Sequence, residues 1–151
     1  MGVDTKTRTY DAAKIGMTFG IHTITGLPDD SFVNIAPTGA AFSTQVGADG
    51  GVDRTNLNMF SYIVTITVKQ TSPTNDALSK LHAADKLSNV GVLPLMINDS
   101  NGTSILAAPL AWIAEEPEVG NGKEAGTREW TFHTGISANF VGGNFDNTGA
   151  I

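Results

Sequence analysis

The 151 residues, 40% of them apolar, most simply make one domain spanning residues 1–151, large enough to bury roughly 68–70% of the surface its unfolded form exposes. The formal charge of -6 comes from 15 acidic against 9 scattered basic residues, which argues against a nucleic-acid binder, since neutralising phosphates takes clustered Lys and Arg. With no cysteine a disulfide framework is excluded, and the chain fits a reducing interior or an assembly that avoids thiol chemistry.

Gly2 follows Met1, but Lys6 stands where a myristoylation signal needs Ser or Thr. The start also lacks a charged segment leading into a roughly 7–15-residue apolar run, so no secretory signal is expected. No apolar stretch approaches the roughly 18 residues that a membrane span requires. The expectation is a soluble chain, made in a cytoplasm, with no membrane partner.

Residues 1–11 are polar and without period, and are expected to form an arm that orders only on assembly. From Met17 to Ile24, alternation of Met17, Phe19, Ile21 and Thr23 with Thr18, Gly20, His22 and Ile24 predicts a strand, broken at Gly26, Pro28, Asp29 and Asp30. A second strand, Phe32 to Ile35, ends at Pro37. Ala41 to Val46 then lead into Ala48-Asp49-Gly50-Gly51, a hairpin signal because Gly tolerates the positive φ of a tight turn. After the returning limb Val52 to Asn56, the longest strand runs from Ser61 to Gln70. There Val64, Ile66 and Val68 predict a buried face, and Thr65, Thr67 and Lys69 a polar one.

Ser72 offers a capping hydroxyl, with Pro73 at the first helical position, where its missing N–H costs nothing. Ala77, Leu78, Leu81, Ala84 and Leu87 make an apolar stripe at helical spacing, predicting one amphipathic helix of about three turns that ends near Asn89 or Gly91. The second half returns to strands. Val92 to Ile97 and Ser104 to Ala108 flank Asn98-Asp99-Ser100-Asn101-Gly102, whose Asn-Gly pair favours a tight turn. Ala111 to Ala114 and Thr127 to Ile136 follow, separated by a polar loop from Glu115 to Gly126. Residues 139–151, rich in Gly and Asn, read as a second arm. The whole is mainly β: an antiparallel sandwich or barrel with one flanking α-helix, an extended loop and terminal arms.

No residue set converges on chemistry. His22, His82 and His133 are far apart and lack the companions of a zinc site. Glu115, Glu116 and Glu118 form an acidic patch whose default state is solvated, although paired carboxylates also serve acid–base work and calcium binding. Asn121-Gly122-Lys123-Glu124 has Glu where a phosphate loop needs Ser or Thr, and Asp99 to Gly102 lacks the closing Glu of a calcium loop. Asn98 and Asn101 head N-x-Ser/Thr sequons, which carry little meaning without a secretory signal. No Gly-x-Ser-x-Gly elbow occurs. Trp112 and Trp130 sit in strand-like runs and are expected in the core or at a subunit interface, because no basic groove accompanies them. The expectation is no enzyme, no cofactor and no metal.

Several blocks resemble the inner tail-tube proteins of contractile-tailed bacteriophages. They are QVGADGGVDR (Gln45 to Arg54), VTITVKQTSPTND (Val64 to Asp76), Ala111-Trp112-Ile113, GKEAGTREWT (Gly122 to Thr131) and FVGG (Phe140 to Gly143). The resemblance implies a virion structural protein that assembles in the host cytoplasm into stacked hexameric rings, forming a hollow tube through which double-stranded DNA passes. The implied partners are further copies of the chain, the tail sheath, baseplate and tail terminator proteins, and a tape measure protein in the lumen. Related folds build the tubes of contractile bacteriocins and type VI secretion. The competing reading is a monomeric β-sandwich that binds sugar or protein through the Glu115 to Gly126 loop.

Within the tube reading, a ring closed head to tail needs two unlike surfaces, which strand edges and arms supply. The turn residues Val46, Gly47, Ala48, Asp49, Gly50, Gly51, Val52, Asp53 and Arg54, with limbs out to Met59, are expected to reach the neighbouring ring, because this stretch is long, hydrophilic and unsuited to a core. The face of Thr65, Thr67 and Lys69 is open to either the lumen or the outside. Glu115, Glu116 and Glu118 are candidates for the lumen, where acidity would keep a DNA backbone from sticking as it slides.

Overall fold

The structure, a computed structural model, describes residues 6–29 and 31–146; residues 1–5 and 147–151 of the expected arms, and Asp30, lie outside the described residues. Ten strands and one α-helix appear in chain order: β1 (Ile15–Phe19), β2 (His22–Thr23), β3 (Val33–Pro37), β4 (Phe42–Val46), β5 (Val52–Asn56), β6 (Tyr62–Lys69), α1 (Thr74–Ser88), β7 (Leu93–Asp99), β8 (Ile105–Glu115), β9 (Thr127–Thr134) and β10 (Ala138–Phe140). The main sheet is antiparallel and runs β2-β1-β7-β8-β9-β6-β3, with β10 also on β8, while β4 and β5 pair only with each other.

Curling brings the inner faces of this sheet together. Phe19 of β1 and Phe132 of β9 are separated in the sheet by β7 and β8, yet their rings meet edge-on with centroids 5.0 Å apart. Met17, Leu95, Ile97, Leu106, Val64, Ile66 and Trp130 complete a single core. The result is sandwich-like rather than a closed barrel, because β2 and β3 remain sheet edges. Leu78 of α1, fully buried, pins the helix to that core.

Several elements differ from the sequence expectation. The predicted strand Met17 to Ile24 is a hairpin: Gly20 takes φ +62°, β1 turns into β2, and Ile21 projects into solvent instead of joining Met17 and Phe19. The two strands expected at Ser104 to Ala108 and Ala111 to Ala114 are one, β8. Its pairing to β7 slips between Leu93↔Ala111 and Leu95↔Ala108, so Pro109 and Leu110 sit in a bulge where a missing N–H breaks no ladder bond. β9 and β10 run along β8 in continuous register, Thr134 opposite Ala111 and Ala138 opposite Ala107. Asn139 and Phe140, expected to open the C-terminal arm, therefore belong to the sheet.

The helix is longer than three turns, at 15 residues, and starts at Thr74 with Pro73 already in the helical region (φ -66°, ψ -15°). Ser72 Oγ accepts from the Thr74 N–H at 3.2 Å, which is the expected capping role displaced by one position. The helix stops where Asn89 turns left-handed (φ 56°) and bonds back to the Asp85 carbonyl. Its apolar stripe is buried only at the first turns: Leu78 is inside, Leu81 half-buried, and Ala84 and Leu87 exposed.

The Asn98 to Gly102 turn exists, but neither Asn101 nor Gly102 has positive φ. Asn101 is buried instead, holding the Asp11 backbone by both amide ends (2.8 and 2.9 Å), while its carbonyl accepts from the Phe145 N–H at 2.7 Å. With the Arg8–Asp146 bridge and a Lys6–Asp146 ion pair at 3.2 Å, this turn clasps the described parts of both arms.

Candidate assembly surfaces

Alternation along β6 and β9 sends Val64, Ile66, Val68, Trp130 and Phe132 inward, and so sends Thr65, Thr67, Lys69, Glu129, Thr131 and His133 outward. Register then lines them up across four strands. Asn34 of β3 lies opposite Thr65, Thr65 opposite Thr131, and Thr131 opposite Glu115 at the end of β8. Beside this row Thr67 faces Glu129 and Ile63 faces His133, which in turn neighbours Trp112. The outward face of β3-β6-β9-β8 is thus a hydroxyl-rich surface.

Glu115, Glu116 and Glu118 converge at one end of that face on an open polar cleft, and Glu129 and Thr131 line it with them. Glu129 was not singled out from the sequence, although strand alternation opposite buried Trp130 would have placed it on the Thr131 side. Against these four carboxylates the outward strand residues offer Lys69 as a cation. Glu116 also lies 3.7 Å from Lys86 of the helix, but both side chains are more than half exposed and such a pair contributes little. Among the described residues no cluster of His, Asp and Glu is arranged to hold a metal ion. His22 is instead bonded to Thr74 Oγ1 at 3.2 Å, His82 lies half-buried on the helix, and His133 stands on the outer sheet face.

Trp130 and Trp112 divide the two expected roles. Trp130 is 2% exposed, its indole N–H donating to Asn75 Oδ1 at 3.0 Å, and so ties sheet to helix. Trp112 is half-buried on the outer face.

The predicted turn residues Val46 to Arg54 are all exposed, on a hairpin that pairs with no other strand. Its five-residue turn is closed by Gly47 N–H to the Gly51 carbonyl (2.8 Å) and by Asp49 Oδ1 accepting from Gly51 N–H (2.9 Å), with Gly50 at φ +86°. Pairing of Phe42 with Asn56, Thr44 with Arg54 and Val46 with Val52 puts the apolar Phe42, Val46 and Val52 with Thr44, Arg54 and Asn56 on one face, and Ser43, Gln45, Asp53 and Thr55 on the other. The Arg54 guanidinium sits 4.4 Å from the centre of the Phe42 ring, a cation–π contact that holds the apolar face in shape. A strand pair with an apolar face left in solvent is unfinished as a monomer.

The sequence profile of the bacteriophage PhiTE tail tube protein family matches residues 13–142. The chain belongs to that family. The tail tube protein is 32% identical over 125 residues to structural protein ORF10 of Pseudomonas phage KPP10, an overlap spanning 82% of this chain and 72% of the relative. In fold it is similar to chains in the sheath/tube terminator of an extracellular contractile injection system, PVC (TM-score 0.62, 13% identity, 88% of this chain and 97% of the other), and in the tube-terminating cap of the anti-feeding prophage (TM-score 0.60, 14% identity, 94% and 95%). A chain of the PVC sheath–tube complex in its extended state matches at TM-score 0.60 and 12% identity, over 87% and 91%. The protein is a structural component of a phage virion, built on a fold shared with contractile injection systems.

Proposed function

We propose that six copies of this tail tube protein close into a ring, and that rings stack into the hollow inner tube of a contractile tail, the conduit for double-stranded DNA. The observation that carries this reading is the β4–β5 hairpin, standing off the body with its apolar face exposed in a chain of the tail tube family. Such a projection suits contact with the ring above or below. The open edges at β3 and at β1–β2 are unlike one another, as a head-to-tail ring requires. The lumen in this reading is the outward face of β3-β6-β9-β8. Its threonines and its acidic cleft at Glu115, Glu116, Glu118 and Glu129 outweigh Lys69, the cation among its outward strand residues, so the phosphate backbone finds little to bind and slides past.

The role proposed is mechanical, without catalysis or cofactor. The sheath, baseplate, terminator and tape measure proteins are the partners, and assembly takes place in the host cytoplasm. Negative-stain microscopy of concentrated protein tests the tube directly. Wild-type chains are expected to form rings and tubes, and replacement of Gly47 to Asn56 by a short linker to leave a folded protomer that does not grow tubes. Tubes of normal length from the linker variant would remove the hairpin from the mechanism, and a strongly positive lumen in an assembled tube would overturn the sliding argument. Persistent wild-type monomers with a saturable sugar or protein ligand would replace the tube reading by that of a binding module.

A further inference from the structure

An apolar groove opens between the inner faces of β3 and of the β1–β7–β8–β10 layer. Ile15, Val33, Ile35, Ile97 and Leu106 form its walls, and Asp99 is the charged residue lining it. Beside it Ile105, Phe140 and Val141 are exposed by 38%, 59% and 83%. Apolar surface of this kind, concentrated at one mouth, marks a contact site. The void is about 230 Å³. An apolar cavity of roughly 150 Å³ already accommodates a benzene ring, so one aromatic side chain fits with room for its neighbours.

We propose that this groove is the receptor for the hairpin of a second copy in the adjoining ring, with Phe42 seated among the isoleucines and Arg54 against Asp99. The inference rests on the tube reading above and names the surface that the hairpin meets. Composition matches on both sides: the hairpin's apolar face carries Arg54 as its cation, and the groove's lining carries Asp99 as its anion. The guanidinium already stacked on Phe42 keeps its N–H edge free for a carboxylate, so ring and charge enter as one unit. Within the hairpin Phe42 and Asn56 form the pair nearest the body, and each strand carries Val46 and Val52 about 14 Å farther out. Hairpin and groove are different surfaces of one chain, so their contact is heterologous, and made between adjoining rings it repeats along an open stack.

The absence of cysteine allows a direct test. In wild-type background, Val52→Cys and Val141→Cys are introduced together, the protein is assembled, and a short bis-maleimide is added. The expected product is a ladder of covalently linked chains, whereas a mixture of the two single variants stops at dimers. Tubes that assemble but give no ladder would overturn this docking while leaving the tube intact; wild-type protein that never assembles would overturn the tube itself. A second measurement covers cysteine variants that fail to assemble. Phe42→Ala and Val141→Asp, both at exposed positions, are each expected to raise the critical concentration for tube growth at least ten-fold with an unchanged protomer circular dichroism spectrum. Thr55→Ala, on the hairpin's other face, is expected to leave it unchanged. Normal growth by either of the first two variants would refute the proposal.

Discussion

Asn75 is the hinge-pin between sheet and helix, and its loss makes the sharpest stability prediction. Its Oδ1 accepts from the Trp130 indole N–H at 3.0 Å, and its Nδ2 reaches the carbonyls of Lys69 (3.0 Å), Gln70 (3.2 Å) and Ser72 (3.2 Å). Asn75→Ala leaves the indole N–H of a residue only 2% exposed without its partner, a cost of about 1–3 kcal/mol. The carbonyls lie nearer solvent and recover part of their bonding from water, which adds about 1 kcal/mol. The total of about 2–4 kcal/mol corresponds to a fall in Tm of about 4–16 °C for a chain of this size. Urea melts of the isolated protomer, followed by far-UV circular dichroism, measure it. A double-mutant cycle with Trp130→Phe is expected to show coupling above about 0.5 kcal/mol. A loss below about 0.5 kcal/mol for Asn75→Ala, or full additivity with Trp130→Phe, would refute the reasoning.

Three further substitutions separate buried from exposed features of the helix. Thr74 is fully buried, and its Oγ1 accepts from the Thr25 N–H at 3.0 Å, so the near-isosteric Thr74→Val is expected to cost about 1–3 kcal/mol in the same melts by orphaning that N–H. Leu78→Ala should cost about 2–5 kcal/mol, whereas Leu87→Ala, on the same predicted stripe but 87% exposed, should stay within about 0.5 kcal/mol; equal losses would contradict the placement of the helix.

Local patterns in this chain were legible wherever a short-range rule decides the outcome. The alternation of Val64, Ile66 and Val68 with Thr65 and Thr67 specified both faces of β6, and the Asp49-Gly50 pair announced the hairpin. Asn89 stopped the helix where a left-handed cap was expected. Rules of this range failed where a distant partner intervened. Asn101 and Gly102 resemble a tight turn in isolation, yet Asp11 and Phe145 claim the Asn101 side chain and backbone. Ile21 continues an apolar alternation, but the chain reverses at Gly20 before it can join the sheet.

The sequence by itself determined an acidic, cysteine-free, mainly β domain with one helix, and its blocks from Gln45 to Thr131 pointed to the tail tube family. Those properties follow from composition, from period and from residues close together in the chain. Only the tertiary structure decided which surfaces are left over for assembly. Glu129 joins Glu115, Glu116 and Glu118 because the β8–β9 register shifts between Ile113 and Glu115, which sets Glu115 opposite Thr131 on the outward side; without that bulge Glu115 would lie opposite Trp130 and face inward. The groove beside β3 exists because the curled sheet leaves Val33 and Ile35 facing Ile97 and Leu106 across a gap that no segment of the same chain fills among the described residues. The acidic cleft joins side chains across the β8–β9 connection and the groove joins side chains dozens of residues apart, and only the pairing and closing of the sheet bring them together.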